Sequence, residues 1–293
     1  MKTPNMFDTE VQFEGITLNV DPINRSRTDQ DDNVMAIFWE EQPFMWHFSK
    51  GYIDHALKKS SGEVEFLDVG TGSGIWSILV KKHLTPKSVI ALDINKRAIS
   101  QAKKNAIRNK VSFDVRNEYY GMHSVAYRSA KVIGIYPPYH IYPAEVENKI
   151  PLHARGGIDG QQLFKEQLTT ANYHLAEEGV IVFNMMCLGR NGKPEFARYI
   201  PRIVEQSSLK YTNIFPPTRT REFLLAVYGE EFSQFQKGLS KSFPELYFCD
   251  GVITRDGKGK IEEIPHKIPL YGRRWKDRIQ LHKEVAKHGK DGK

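Results

Sequence analysis

Two acidic side chains and a glycine-rich stretch are the residues most able to do chemistry in this chain. Residues 68–74 read Asp-Val-Gly-Thr-Gly-Ser-Gly and follow the apolar run 64–69, which suits a buried strand. Glycines at a strand-to-helix turn permit positive φ and let a ligand approach the bare backbone. Asp68 precedes the first glycine, and its carboxylate would attract an ammonium group and repel a pyrophosphate. Asp93 ends the next apolar run, where it can accept hydrogen bonds from both hydroxyls of a ribose.

The spacing of this turn distinguishes two classes of nucleotide-binding protein. Nicotinamide dehydrogenases use a related turn, G-x-G-x-x-G, and remain an alternative. Here the spacing is G-x-G-x-G, and FLDVGTGSGIWS and IALDIN resemble the first two motifs of the class I S-adenosylmethionine-dependent methyltransferases. The resemblance covers roughly residues 60–230. It implies S-adenosylmethionine as the cofactor, which has a cationic amino-acid end and free ribose hydroxyls.

The resemblance also implies a cofactor-binding set. Asp68 would hold the methionine amine, directly or through water; Asp93 would hold the ribose, and Ile94 would lie against the adenine. The end of the third strand usually supplies a group to the adenine amine. Because alternate residues of 111–115 point inward, Asn117 falls at that position, with Asp114 as the alternative. Three glycines would pass under the ligand: Gly70, Gly72 and Gly74.

A second motif ends the fourth predicted strand. Residues 136–139 read Tyr-Pro-Pro-Tyr, which resembles the (Asn/Asp/Ser)-Pro-Pro-(Tyr/Phe) signature of methyltransferases acting on planar nitrogen, among them the adenine N6- and release-factor glutamine N5-methyltransferases. In those families the first side chain and the carbonyl of the first proline, here Pro137, bind the two N–H groups. The final ring, here Tyr139, stacks on the flat substrate. Alignment, with no general base, would supply much of the acceleration.

Tyr136 departs from that signature, because a phenol cannot reproduce the reach of a short amide. The departure puts glutamine and adenine substrates in doubt but leaves the proline carbonyl unaffected. A rigid turn without catalytic function is the alternative interpretation. His140 follows the signature, and its imidazole is a candidate proton acceptor near neutral pH. Residues 152–164 resemble the segment after the signature in the glutamine methyltransferases, and their glycines predict a loop before a helix.

Regular alternation of apolar runs and helical patterns defines the fold class. Strands are expected at 64–69, 88–93, 111–115, 130–136 and 179–187, with helices between them; 209–215 and 222–229 are expected to pair. A helix is expected over 96–109, capped by Asn95. This alternation predicts an α/β protein: a Rossmann-like, doubly wound, seven-stranded and mostly parallel sheet with helices on both faces. Residues 11–20 predict a short strand pair, and Asp256-Gly257 a hairpin.

Composition and charge limit the type of partner and the domain organisation that the chain can have. The chain has 293 residues and a net charge of +7, but residues 266–293 alone carry nine Lys/Arg and three acids. The body is therefore nearly neutral, which argues against a nucleic-acid-binding surface. The division expected is an N-terminal arm and helical cap over 1–60, a catalytic domain over 61–230, and an extension with a basic tail over 231–293. The aromatic stretch 38–52 is interpreted either as a lid over the cofactor or as ordinary packing.

Location and metal content are also expectations. No signal peptide and no apolar run of membrane-spanning length are visible, and two cysteines cannot form a disulfide scaffold, so a cytoplasmic protein with reduced thiols is expected. The histidines lack metal-ligand spacing, so no metal site is expected.

The resulting prediction is a methyltransferase that methylates a planar or conjugated nitrogen of a small molecule. Methylation of a protein glutamine or of an RNA or DNA base is the first alternative, and a non-catalytic cofactor-binding module is the second. The sequence leaves the substrate and the oligomeric state open.

Overall fold

The structure, a computed structural model, describes residues 8–22, 34, 37–38, 40–265 and 275–288. The strands are β1 (Glu10–Phe13), β2 (Ile16–Asn19), β3 (Val64–Val69), β4 (Val89–Asp93), β5 (Asp114–Asn117), β6 (Ala130–Ile135), β7 (Leu175–Arg190), β8 (Lys193–Pro194), β9 (Ser207–Asn213), β10 (Thr218–Arg219), β11 (Glu245–Arg255) and β12 (Ile261–Glu263). The helices are α1 (Gln42–Lys59), α2 (Ile75–His83), α3 (Lys96–Arg108), α4 (Gln162–His174), α5 (Phe196–Ile203), α6 (Thr220–Tyr228), α7 (Ser233–Ser242) and α8 (Trp275–His288).

A mostly parallel sheet forms the centre of the molecule. Its strand order is β12-β9-β11-β7-β6-β3-β4-β5, with the two-residue strands β8 and β10 paired to β7 and β11. Among its strands of three or more residues, only β11 runs antiparallel to its neighbours. Chain order reverses on either side of β3, which is where ligand clefts form in sheets of this type. The predicted α/β class is confirmed.

Hydrophobic residues cover both faces of the sheet, as the continuous apolar runs predict. Phe66, Val132 and Val182 point to the face covered by α1 and α2. Their chain neighbours Leu67, Ile133 and Ile181 point to the opposite face, where α4 and α5 lie. Within the described residues, no helix is both long and apolar enough to span a bilayer.

Several expected elements are where the sequence placed them. Asn95 caps α3 by accepting hydrogen bonds from the N–H groups of Arg97 and Ala98, and residues 11–20 lie in the hairpin of β1 and β2. The side-chain amide of Asn105 on α3 accepts the N–H of Asn19 in β2, and that of Asn109, which follows α3, accepts the N–H of Thr17.

Other expectations were wrong in detail. Residues 222–229, expected to form a strand, lie in α6 up to Tyr228, because Phe223, Leu224 and Val227 bury one side of a helix. No hairpin forms at Asp256-Gly257, since β11 and β12 both pair with β9 and not with each other. The third strand lies at β5, about three residues after its expected start.

The chain beyond residue 230 is part of the sheet. β11 lies between β7 and β9 and pairs with both along most of its length. A boundary at residue 230 would therefore divide the sheet from one of its interior strands. The division at 60 and 230 remains a prediction.

Candidate functional site

A cavity lies at the carboxyl ends of β3, β4 and β6, beside the reversal of strand order. The two motifs, distant in sequence, form parts of one wall because parallel strands end at the same sheet edge. Most of the residues predicted from the sequence line it: Asp68, Gly70, Gly72, Asp93, Ile94, Tyr136, Pro137, Tyr139 and His140.

Asp68 is buried at the end of β3 with one oxygen satisfied and one unpartnered. Its Oδ2 accepts hydrogen bonds from the hydroxyls of Thr71 and Ser77, both at 2.7 Å, and from the N–H of Ser77. Its Oδ1 is buried and has no hydrogen-bond partner among the described residues. Burial raises the pKa of this carboxyl to about 6. A buried acceptor of this kind favours a donor, above all a cationic one.

Asp93, at the end of β4, links this strand end to the glycine turn that follows β3. Its Oδ2 accepts the N–H of Gly72 and its Oδ1 accepts the N–H of Asn95, each at 2.9 Å. Burial raises the pKa of this carboxyl as well. A carboxylate oxygen can accept more than one hydrogen bond, so Asp93 retains capacity for a ligand. Ile94 follows it and presents a half-exposed apolar side chain to the cavity.

The three glycines of the turn do different things. Gly70 and Gly72 have φ of 73° and 53° and line the cavity. Gly74 also has positive φ, at 82°, but a Cβ there would lie 3.2 Å from the Cα of Ala102 on α3. The third glycine therefore allows helix packing and does not line the cavity.

Asn117 does not reach the cavity. Its side chain is exposed, and its amide donates hydrogen bonds to the carbonyl oxygens of Asp93 and Ile94. Asn117 is the last residue of β5, and these two bonds fix its amide on the end of the neighbouring strand β4. The alternative, Asp114, is exposed and paired with Arg116. The next three residues, Glu118, Tyr119 and Tyr120, line the cavity instead.

Tyr136 directly follows β6, and its ring packs on another aromatic side chain. Its ring packs against Trp76 of α2 with a centroid distance of 5.5 Å. Its hydroxyl is buried and makes no hydrogen bond of ordinary geometry among the described residues. Burial, with the charges of Asp250 and Asp68 nearby, raises the pKa of this phenol well above 10. Tyr136 is therefore a neutral hydroxyl group at neutral pH.

Tyr139 is held by residues from both ends of the chain. Its hydroxyl donates to Oε1 of Glu41, and Nη1 of Arg278 donates to the Tyr139 oxygen at 2.8 Å. Arg278 also pairs with Glu41 and Glu40, and its side chain has no exposed surface. Its guanidinium lies 4.5 Å from the ring centre of Phe248. The ring of Tyr139 lines the cavity, and the Tyr139 hydroxyl is occupied by its hydrogen bonds to Glu41 and Arg278.

His140 is buried against a second histidine. Its ring stacks on that of His282 with centroids 3.8 Å apart and an interplanar angle of 13°. Burial, together with His282, His153 and Arg278, lowers the pKa of His140 well below its usual value. The expectation of a proton acceptor that titrates near neutral pH is corrected accordingly, because the desolvated imidazole is a weak base.

The glycine loop supports the signature from behind. A Cβ on Gly156 would lie 2.6 Å from the carbonyl carbon of Tyr139, and one on Gly160 would lie 2.7 Å from its carbonyl oxygen. Asp159 accepts the N–H of Gln161 immediately before α4. The loop is therefore a close-packed backing for residues 136–140.

Four residues of this region were missed from the sequence: Glu41, Trp76, Asn184 and Arg278. Asn184 carried a signal, since it is the polar residue in an apolar strand run. The spacing of Trp275, Arg278 and Leu281 was also a helical signal within the basic tail. The tail outside α8 lies outside the described residues.

Comparisons with known proteins point to one class. The family model "Ribosomal protein L11 methyltransferase (PrmA)" matches residues 51–133. The release factor glutamine methyltransferase of Fusobacterium nucleatum is 30% identical over 138 residues, which cover 44% of this chain and 39% of that protein. The ribosomal protein L11 methyltransferase of Dictyoglomus thermophilum is 51% identical over 51 residues, or 17% of each protein. The chain thus matches less than half the length of these relatives.

A solved methyltransferase from Pyrococcus furiosus aligns over 73% of this chain and 82% of its own, with a TM-score of 0.44 and 16% identity. The sequence matches confirm the resemblance to the S-adenosylmethionine-dependent methyltransferases, and they indicate S-adenosylmethionine as the cofactor. The cavity fits that group chemically. It offers an unpartnered buried carboxylate oxygen at Asp68, a second carboxylate at Asp93, exposed backbone at two glycines and an apolar side chain at Ile94.

Proposed function

We propose that this protein transfers a methyl group from S-adenosylmethionine to a nitrogen atom of its substrate. The observation that supports the proposal is the junction of two motifs in one cavity: the carboxylates of Asp68 and Asp93 lie on one side, and residues 136–139 on the other. Bound S-adenosylmethionine supplies an electrophilic methyl group.

In this proposal the glycine turn and the strand ends hold the cofactor. Oδ1 of Asp68 accepts a hydrogen bond from the cofactor ammonium, directly or through water. Asp93 binds the ribose hydroxyls and Ile94 contacts the adenine. Gly70 and Gly72 leave room for the ligand against the backbone, since a side chain at either position would occupy strained φ.

The signature side orients the substrate. The carbonyl of Pro137 accepts an N–H of the reacting group, and the ring of Tyr139 packs on its flat face. The buried ion pairs around Arg278 hold that ring in place. His140 shapes the cavity as a neutral ring. Together these groups exclude water and align the nitrogen.

A protein side-chain amide is the first candidate for the substrate. The relatives matched over the longest stretches are named as glutamine methyltransferases that act on a release factor and on ribosomal protein uL3. The second candidate is the small planar molecule expected from the sequence. It is favoured by Tyr136, which puts a bulky phenol where those families carry a short side chain.

Calorimetry with S-adenosylhomocysteine, the demethylated product, tests the cofactor site, and binding in the micromolar range is expected. Failure of the folded protein to bind it would remove the proposal. The protein is then incubated with S-adenosylmethionine and a cell extract separated into low- and high-molecular-mass fractions. The fraction that yields S-adenosylhomocysteine identifies the substrate class, and no release from any fraction would support the non-catalytic alternative.

The salt dependence of substrate binding distinguishes a nucleic-acid substrate from a protein side-chain amide or a small planar molecule. Several contacts between the basic tail and phosphates would make binding fall steeply with salt, whereas an amide or a small neutral molecule would show little change.

A further inference from the structure

A row of polar side chains crosses four strands at one level of the sheet. Ile135 of β6 is in register with Phe183 of β7, so the next residues, Tyr136 and Asn184, are neighbours. Asn184 is in register with Asp250 of β11, and Asp250 with Thr212 of β9. This polar row consists of Tyr136, Asn184, Asp250 and Thr212. Its first two members line the cavity.

The row interrupts an apolar face. Two residues earlier on β7, Val182 packs into the hydrophobic cluster under α1, as does Val252 of β11. Within the row, Asn184 is 1% exposed, and Asp250 and Thr212 are fully buried. Each member has a buried oxygen without a hydrogen-bond partner among the described residues: the Tyr136 hydroxyl, Asn184 Oδ1, Asp250 Oδ2 and Thr212 Oγ1. Buried polar atoms normally have hydrogen-bond partners, so a group of buried oxygens without partners beside a cavity points to a ligand.

Asp250 determines which end of the Asn184 amide is available. The Nδ2 of Asn184 donates to Oδ1 of Asp250 at 2.6 Å. This bond uses the donor end of the amide and leaves Oδ1 as a free acceptor on a residue that lines the cavity. Burial raises the pKa of Asp250 well above its usual range.

We propose that Oδ1 of Asn184 accepts an N–H of the substrate's planar NH2 group, and that Asp250 is the positioning residue that orients it. The inference rests on the proposed function. Asn184 would restore, from the neighbouring strand, the amide acceptor that Tyr136 does not provide. The Tyr136 hydroxyl beside it faces the indole N–H of Trp76, which can only donate, so the O–H of Tyr136 is available as a hydrogen-bond donor to the same substrate.

Propionamide is a suitable probe, because it presents a planar NH2 group, and N,N-dimethylpropionamide is its matched control without N–H donors. Binding of each to the complex with S-adenosylhomocysteine is measured by NMR titration. We expect propionamide to bind in the millimolar range and the dimethyl compound to bind at least about fivefold more weakly, because it loses the hydrogen bonds to both Asn184 Oδ1 and the Pro137 carbonyl. Equal affinities, or no propionamide binding, would overturn the inference.

Substitutions in the polar row show which of its residues determine the affinity for propionamide. Asn184→Leu is expected to reduce propionamide affinity about three- to tenfold, the effect of one lost hydrogen bond, and to leave the affinity of the dimethyl compound unchanged. Asp250→Asn is expected to weaken it about three- to tenfold, because the new amide donates to Asn184 Oδ1 and takes the acceptor away from the cavity. Thr212→Val is the matched control: it belongs to the row but does not line the cavity, and it should leave propionamide affinity within about twofold.

Affinity for S-adenosylhomocysteine separates this inference from the proposed function. All three variants should bind it as the natural chain does. If the natural chain does not bind it, the proposed function fails. If it binds and Asn184→Leu still binds propionamide normally, only the role of Asn184 is wrong. Should Asn184→Leu not fold, the Asn184 side-chain amide resonances of the natural chain decide: no shift on adding propionamide overturns the inference.

Discussion

The cavity has two sides that are built in different ways. On the glycine-turn side, the carboxylates of Asp68 and Asp93 are held by hydroxyl and N–H groups at most 21 residues away in sequence. On the signature side, Tyr139 is held by Glu41, 98 residues before it, and by Arg278, 139 residues after it. The first side is a local structure, and the second exists only when both ends of the chain are in place.

The two sides also differ in what stabilises them. The carboxylates of the glycine turn accept hydrogen bonds from neutral groups, which lower the cost of burial without a counter-charge. The signature side relies on an arginine with no exposed surface that is paired with two buried glutamates. Damage to the signature side should therefore affect folding, and damage to the glycine-turn side should affect ligand binding.

The largest expected effect is loss of stability in Arg278→Met. Removing the guanidinium leaves Glu40 and Glu41 buried without a counter-charge, which should lower the free energy of unfolding by about 3–5 kcal/mol. Urea denaturation measures it. Arg219→Met is the control, since its pair with Glu222 is largely exposed and should contribute about 0–1 kcal/mol. Equal effects of the two substitutions would contradict the contrast between the two sides.

The second effect is on ligand affinity. Asp93→Ala should weaken binding of S-adenosylhomocysteine about ten- to hundredfold, since hydrogen bonds to a charged group contribute about 1.5–3 kcal/mol. Isothermal titration calorimetry is the measurement. Asp114→Ala, at an exposed carboxylate of the neighbouring strand β5, should leave the affinity unchanged. Unchanged affinity in Asp93→Ala would remove Asp93 from the site.

The third effect is a pH dependence on the glycine-turn side. The pKa of Asp68 is raised to about 6, so below that pH its carboxyl is protonated and cannot pair with an ammonium group. Ligand binding must then release a proton, and affinity for S-adenosylhomocysteine should be about tenfold lower at pH 5 than at pH 7. Asp93 titrates in the same direction.

Calorimetry across this range, in buffers of different ionisation enthalpy, measures both the affinity and the proton released. Asp68→Asn should bind more weakly and show a smaller pH dependence. Affinity that rises as the pH falls would show that Asp68 does not contact the cationic end of the ligand.

The smallest effect is expected at Tyr136. Tyr136→Phe should lower turnover about three- to tenfold by removing one hydroxyl donor, while affinity for S-adenosylhomocysteine stays within about threefold. Release of S-adenosylhomocysteine from the active extract fraction measures turnover. Tyr127→Phe, at an exposed ring away from the cavity, should change neither quantity. A loss of cofactor affinity with intact turnover would show that Tyr136 contacts the cofactor and not the substrate.

Errors in the sequence-based predictions have physical causes. The run 222–229 is apolar enough for a strand or a helix, and its packing against α7 and α8 selected the helix. Asn117 was assigned from the inward alternation of residues 111–115, but its amide is held by the carbonyl oxygens of Asp93 and Ile94, which the alternation does not reveal. His140 was interpreted as a proton acceptor near neutral pH because its stacking partner, His282, is 142 residues away and could not be foreseen.

The sequence by itself determined the five parallel strands β3 to β7, the glycine turn and the two carboxylates, because apolar periodicity and turn chemistry depend on residues close in the chain. It also placed residues 136–139 at a strand end facing the same cavity. It did not reveal β11, the interior strand between β7 and β9. Only the tertiary structure decided that Arg278 of the basic tail is buried beside Glu40 and Glu41, and that Asn184, Asp250 and Thr212 form a row with Tyr136. Those relations depend on strand register and on packing between distant segments, which no local pattern encodes.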